Sequence, residues 1–234
     1  MEKRSSALVG MALIALGVLS LAMSALTRVL GFDLLGLVWR MWPSMVVGLG
    51  ALLVVVPLLV RGRRGLGALW IPGFPILATG TILFLASVLN AWQIWAWLWP
   101  MELLALAMGF LAAAVYMRVS GLAIPAIIIG LNGLVMQFCA ITGLWHWWAV
   151  LWVVEPLSVG LALLGVGAAT TRSGMTTAGL ILCGIAAAGL MLMITILGGW
   201  WPVRLAGSGL MILGGLLLLA WGLLGSRLRL KPAE

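Results

Sequence analysis

Residues 42–64 read WPSMVVGLGALLVVVPLLVRGRR, and this stretch decides the fold class. Trp42 and Pro43 precede an apolar run over residues 44–60, and Arg61-Gly-Arg-Arg64 follows it. A run of about 20 apolar residues can cross the hydrocarbon layer of a bilayer as one helix. Tryptophan favours the head-group layer and arginine is retained on the cytoplasmic side. The stretch therefore predicts a membrane-spanning helix.

The whole chain has the composition of a membrane protein. Of its 234 residues, 65% are hydrophobic and 8% are charged, and the mean hydropathy is +1.26. A soluble domain has roughly 25% charged residues because its surface faces water. This composition excludes nucleic-acid-binding proteins, secreted disulfide scaffolds and soluble cytosolic enzymes.

Seven further apolar runs resemble the run at 44–60. Because each is close to the length of a membrane span, we predict an all-α integral membrane protein of about eight transmembrane helices in a single domain, residues 1–234. Seven helices is the alternative, since the short sixth run contains Glu155 and Pro156. The first run is long enough to span rather than to be cleaved as a signal peptide. The eight runs cover residues 7–26, 44–60, 69–89, 101–117, 122–144, 153–168, 177–197 and 203–224.

The net charge of +8 is distributed unevenly between the loops. If both termini lie on one side of the membrane, ten basic residues share that side, against three on the other. This asymmetry predicts a bacterial cytoplasmic (inner) membrane protein with both termini cytoplasmic, and part of the excess is available to anionic lipid head groups. The first side holds Lys3, Arg4, Arg61, Arg63, Arg64, Arg118, Arg172, Arg227, Arg229 and Lys231, and the second holds Arg28, Arg40 and Arg204.

The tryptophans have the opposite distribution. Only Trp70 and Trp221 of the 14 lie near the predicted cytoplasmic side. Indole rings favour the head-group layer because an apolar body and a polar N–H are both satisfied there. The cluster is either a belt that anchors the protein at one depth or a platform for a lipid, a pigment or a partner helix. Its members are Trp39, Trp42, Trp92, Trp95, Trp97, Trp99, Trp145, Trp147, Trp148, Trp152, Trp200 and Trp201.

The chain also repeats itself in four helical-hairpin units, over residues 7–64, 67–118, 122–172 and 177–229. An anchoring tryptophan is followed by proline in three units, and a small residue lies eight positions after it. Small residues let a neighbouring helix approach closely, and proline is tolerated in the first turn of a helix. The anchors are Trp42, Trp99, Trp152 and Trp201, and the small residues are Gly50, Ala107, Gly160 and Gly209. The first helix of each unit has two small residues seven apart, which are Gly10 and Gly17, Gly73 and Gly80, Ala126 and Gly133, and more weakly Gly179 and Ala186.

The first unit carries a resemblance to a known family. Gly10-Met-Ala-Leu-Ile-Ala-Leu-Gly17, then Trp42-Pro43, Gly50 and the basic stop at Arg61–Arg64 resemble the transmembrane region of the LiaI/LiaF-like bacterial membrane proteins. The resemblance implies a non-enzymatic membrane protein or envelope-stress regulator. The third unit departs from the pattern because Val153 replaces the proline. A weaker resemblance exists to HdeD-like membrane proteins, which are also built from glycine-rich hairpins.

Few ionisable or polar side chains are available for chemistry. Glu102 and Glu155 lie near helix starts, where the helix dipole stabilises a carboxylate, and either is alternatively a proton or cation site. Asn132 and Gln137 are placed to hydrogen-bond between helices or to line a substrate site. His146 lies in Trp145-His-Trp-Trp148, either as an interfacial residue, as the ligand of a chlorophyll-type magnesium or as a hydrogen-bond donor to a lipid head group.

Catalytic motifs are absent from the sequence. It contains no HExxH, no paired aspartates within an apolar run and no phosphate-binding loop. Cys139 and Cys183 both lie inside apolar runs and read as small apolar residues. We expect no enzyme activity, cofactor or metal.

These observations predict a non-enzymatic accessory, scaffold or regulatory subunit. It would act through helix–helix contacts with another integral membrane protein or with a second copy, in contact with membrane lipids and without nucleic acid. The alternatives are a carrier for a lipid or small hydrophobic solute and, more weakly, a pigment-associated subunit that uses His146.

Overall fold

The computed structural model describes residues 2–30, 34–60, 62–197 and 205–216, and these residues form helices and turns without a strand. Each of the eight apolar runs contains a helix. The helices are α1 (Glu2–Leu30), α2 (Leu34–Arg40), α3 (Ser44–Leu59), α4 (Trp70–Val88), α5 (Trp95–Leu98), α6 (Met101–Met117), α7 (Ala123–Thr142), α8 (Trp148–Leu151), α9 (Val154–Ala169), α10 (Ser173–Leu197) and α11 (Leu205–Leu216).

Several of these helices are long and apolar enough to cross a membrane. Among the described residues, four continuous segments meet this condition, and six do so if each of two bent helix pairs counts as one span. The four segments are Val38–Leu59, Arg64–Val88, Ser120–Thr142 and Ser173–Leu197. The bent pairs are Trp92–Leu98 with Met101–Met117 and Trp145–Leu151 with Val154–Ala169.

The long helices form an antiparallel row. In the described part of the chain, extensive packing between long helices joins only helices that follow one another in sequence: α3 with α4, then α6, α7, α9 and α10 in turn. Each inner helix therefore has two neighbours and leaves other faces uncovered. Val115 of the inner helix α6 is 73% exposed, and Met45 and Leu59 of α3, at the end of the row, are 81% and 74% exposed. Such apolar surface is compatible with a lipid environment.

Glycine permits the closest approaches within this row. A Cβ atom built on Gly50 of α3 would lie 2.5 Å from the backbone nitrogen of Leu77 in α4. One built on Gly160 of α9 would lie 2.7 Å from Sγ of Cys183 and 2.9 Å from its nitrogen in α10. Both distances are shorter than real Cβ contacts, so only glycine fits. The small residue eight positions after the tryptophan thus contacts the next helix in the chain in both pairs.

The connections at one end of the row, which we call the tryptophan end, contain short helices of their own. After α4 and after α7 the chain forms a turn of 3₁₀ helix, at Trp92–Ile94 and Trp145–Trp147, followed by one turn of α-helix. The next long helix then leaves at an angle of 54° or 52°. The chain therefore runs along this end before it turns back.

At the opposite end, which we call the arginine end, three turns contain a residue with positive φ. These residues are Gly62 at 92°, Arg118 at 59° and Thr171 at 55°. After α6, the N–H of Val119 donates to the carbonyl of Ala114 at 3.0 Å. After α9, the backbone N–H of Arg172 donates to the carbonyl of Gly167 at 2.9 Å. These are Schellman motifs, which satisfy carbonyls left free at a helix end.

Candidate interaction site

The packing between α6 and α7 leaves an apolar groove. A Cβ on Gly130 of α7 would lie 3.4 Å from Cβ of Ala107 in α6, an ordinary contact distance. The groove beside this contact has a volume of about 610 Å³ and opens to the surroundings. It is lined by Leu104, Ala107, Met108, Leu111, Ala126, Ile127, Gly130, Leu131, Leu134 and Leu161. Because every lining residue is apolar, the groove suits a hydrocarbon chain or an apolar helix rather than a polar solute.

Asn132 joins α7 to α9 inside the row. Its Nδ2 donates to the carbonyl of Ile128 at 3.0 Å and to Oγ of Ser158 at 3.4 Å. Ser158 is fully buried and its hydroxyl donates to the carbonyl of Glu155 at 2.9 Å. Oδ1 of Asn132 is buried and has no partner in the described residues. This arrangement serves the interhelical hydrogen bonding that the sequence predicts for Asn132, and Asn132 does not line the groove.

Gln137 bonds backbone rather than a side chain. Its Nε2 donates to the carbonyl of Trp97 at 2.7 Å, which ties α7 to α5 at the tryptophan end. Its Oε1 is buried without a partner among the described residues. Gln137 thus holds a connecting segment in place.

The two predicted glutamates lie in the first turns of α6 and α9. Glu102 is half-buried in the first turn of α6, and its Oε1 accepts a hydrogen bond from Thr79 of α4 at 3.1 Å. Glu155 is exposed in the first turn of α9. A carboxylate in this position is stabilised by the helix dipole. In the described part of the chain, no hydrogen bond joins any two of the four predicted polar side chains.

Three of the four predicted tryptophan anchors, Trp42, Trp99 and Trp152, are described, and they lie at the tryptophan end. Trp42 is 44% exposed and Trp152 is 40% exposed. Trp99 is half-buried and stacks on Trp145, with ring centroids 6.2 Å apart and planes 13° from parallel. Trp201 lies outside the described residues. The three residues have the same backbone hydrogen bond. The carbonyls of Trp42, Trp99 and Trp152 each accept a hydrogen bond from the N–H of the residue three positions later.

His146 lies exposed at the same end. Its ring meets Trp147 edge-on, with centroids 6.3 Å apart. The described residues contain no group of three or more His, Cys, Asp or Glu side chains placed to hold a metal ion. Cys139 and Cys183 are free thiols, and Cys139 is buried.

One aromatic pair was not singled out by sequence reasoning. Trp70 of α4 donates from Nε1 to the carbonyl of Val54 at 2.7 Å, and Tyr116 of α6 donates from its hydroxyl to the carbonyl of Pro57 at 3.0 Å. The two rings lie 4.9 Å apart. Both therefore bind the C-terminal half of α3, and the carbonyl of Pro57 belongs to the last turn, where carbonyls lack helical donors. The available signal was that Tyr116 is the only tyrosine and Trp70 stands apart from the belt.

The helix α1 contrasts with the packed helices. Gly10 and Gly17 occupy the positions that Gly73 and Gly80 hold in α4. A Cβ on Gly73 or Gly80 would lie within 3.0 Å of α3, whereas no described atom lies within 4 Å of a Cβ built on Gly10 or Gly17. Large apolar side chains between them are exposed, including Leu13 and Ile14 at 65% and 68%.

Comparisons with protein-family models, with curated proteins and with solved structures give no match. The resemblance to the LiaI/LiaF-like and HdeD-like proteins therefore stays a prediction from sequence.

Proposed function

We propose that this chain is a non-enzymatic, multi-pass protein of the bacterial cytoplasmic membrane that acts as an accessory or scaffold subunit through helix–helix contacts. Its architecture would be four hairpin units of two spanning helices each, eight in total. The arginine end and both termini would be cytoplasmic. Charge placement supports this orientation, and the shared register of α3–α4 and α9–α10 supports the repetition.

A face of α1 that contacts no described residue at Gly10 and Gly17 carries the proposal. The small residues of this helix follow the same spacing as those of α4, and in α4 that spacing accepts a neighbouring helix at backbone contact. Lipid tails are as apolar as leucine, so helices associate in a membrane through close packing at small residues. A partner helix, from another membrane protein or a second copy, would occupy the face that contains Gly10 and Gly17.

Photo-cross-linking tests this proposal. A benzophenone amino acid at Leu13 should cross-link to one defined membrane protein or to a second copy. The same group at Leu52, which is 58% exposed on α3, should give lipid adducts. Gly17→Leu should abolish the protein cross-link because the added side chain blocks close approach. Gly48→Leu is the matched control, since Gly48 also has no described neighbour within 4 Å.

Two outcomes would contradict the scaffold function. One is a chain that stays monomeric, cross-links only to lipid from Leu13 and moves a solute into liposomes, which would make it a carrier. The other is a bound pigment whose visible absorption changes in His146→Ala.

A further inference from the structure

A second cavity lies at the arginine end and is polar. It has a volume of about 780 Å³ and is lined by Gly62, Arg64, Val115, Tyr116 and Arg118. Among the described residues, its lining holds two arginines and no acidic residue. Both acidic residues whose side chains are described, Glu102 and Glu155, lie in helices that start at the opposite end. Paired guanidinium groups in such a cavity suit a phosphate group, because arginine offers several N–H donors in a fixed geometry.

One face of α6 connects this cavity to the apolar groove. Leu104, Met108, Leu111 and Val115 are spaced by four, three and four residues, which places them along one side of α6, and Arg118 follows directly after the end of the helix. The first three line the groove and the last two line the arginine cavity. Met108, Leu111 and Val115 are 52%, 44% and 73% exposed. The face is therefore a continuous apolar strip that ends at an arginine.

The depth of the groove fits one leaflet. Met108 and Leu111 lie ten and seven residues before Arg118, which corresponds to about 15 and 10 Å along a helix. A leaflet contributes about 15 Å of hydrocarbon to the bilayer core. An acyl chain whose head group lies at Arg118 thus reaches the groove within its own leaflet.

We propose that this face binds an anionic phospholipid, with the phosphate at Arg64 and Arg118 and one acyl chain in the groove between α6 and α7. The inference rests on the proposed membrane insertion with the arginine end at the head groups. Charge complementarity selects an anionic lipid rather than a zwitterionic one, because no carboxylate whose side chain is described lies beside the two guanidinium groups. The apolar groove selects a lipid rather than a free phosphate.

Lipid titration of the purified full-length chain, followed by native mass spectrometry, tests the inference. Dioleoyl phosphatidylglycerol should bind about tenfold more tightly than dioleoyl phosphatidylcholine. Arg64→Gln and Arg118→Gln should each weaken phosphatidylglycerol binding about tenfold, because each removes a charge-assisted hydrogen bond. Arg63→Gln is the matched control. Arg63 is exposed beside Arg64 but does not line the cavity, so its loss should change affinity less than about threefold.

A second set of variants tests the groove. Gly130→Leu should weaken phosphatidylglycerol binding about tenfold by filling the groove, and a Cβ there meets only Ala107 at 3.4 Å. Met108→Trp fills the groove from α6 and serves if Gly130→Leu does not fold. If inorganic phosphate displaces the lipid and both groove variants bind phosphatidylglycerol as tightly as the original chain does, the site recognises only the phosphate group. The inference is then overturned.

Equal binding of both lipids, or equal effects of Arg63→Gln and Arg64→Gln, would also overturn it. Membrane integration is checked first by extraction of cell membranes at alkaline pH. A chain that is released contradicts the proposed function, whereas a retained chain without lipid preference contradicts only this inference.

Discussion

The α3–α4 and α6–α7 pairs are built on the same register but pack differently. In α3–α4, Gly50 lies against the backbone of Leu77, and no Cβ fits between them. In α6–α7, the corresponding positions are Ala107 and Gly130, which meet through the alanine methyl. A groove of about 610 Å³ lies beside that contact. The comparison indicates that glycine facing backbone closes a helix pair, whereas alanine at the same position leaves room for a lipid chain.

The largest expected effect breaks the closed pair. Gly50→Ala should cost about 3 kcal/mol of unfolding free energy, because the methyl group would overlap the Leu77 backbone and force the helices apart. Gly48→Ala, two residues away with no described neighbour within 4 Å, should be neutral or slightly stabilising through helix propensity. Unfolding in mixed micelles, followed by circular dichroism, measures both. Equal effects would mean that α3 and α4 are not in backbone contact.

Substitutions in the turn between α3 and α4 and in the turn between α6 and α7 should change stability in opposite directions. Gly62→Ala should destabilise the α3–α4 connection by about 1 kcal/mol because φ is 92° there. Arg118→Gly should stabilise the α6–α7 connection by about the same amount, since glycine adopts positive φ without a Cβ penalty. Thermal unfolding in detergent gives the sign. Two shifts of the same sign would refute the left-handed geometry of one turn.

The contact between α6 and the end of α3 sharpens the comparison further. Tyr116→Phe should cost about 1 kcal/mol, because it removes the hydrogen bond to the carbonyl of Pro57 and keeps the ring against Trp70. Thr81→Val is a suitable control, since its hydroxyl bonds Leu77 within its own helix. The same micelle titration separates the two variants. A loss of stability for Thr81→Val as large as that for Tyr116→Phe would argue against a stabilising hydrogen bond from Tyr116 to Pro57.

The smallest effect concerns the open pair. Gly130→Ala should change the unfolding free energy by less than about 1 kcal/mol, because a Cβ there makes an ordinary contact and helix propensity compensates. A loss of stability equal to that of Gly50→Ala would show that α6 and α7 are as closely packed as α3 and α4. This result would contradict the presence of a groove between them. The variant is measured beside Gly50→Ala in one titration.

Some features of the site were predictable from the sequence and others were not. Asn132 stood out because an amide within an apolar run needs a partner. Its partner Ser158 did not, since a lone serine in a glycine-rich helix carries no such signal. The role of Gly50 followed from its spacing after Trp42. That it contacts Leu77, in the helix beyond the arginine turn, could not be read from the spacing, because a periodic small residue marks a contact face without naming the helix that covers it.

The sequence by itself determined the helical runs, the separation of most tryptophans from most arginines and some of the positions where helices approach closely, such as Gly50 and Gly160. These depend on hydropathy, side-chain size and interfacial preference, which each residue carries locally. Only the tertiary structure decided which helices pair, that α6 and α7 leave a groove open, and that Trp70 and Tyr116 bind the end of α3. These depend on which surfaces meet and at what distance, as where the methyl group of Ala107 in α6 faces Gly130 in α7.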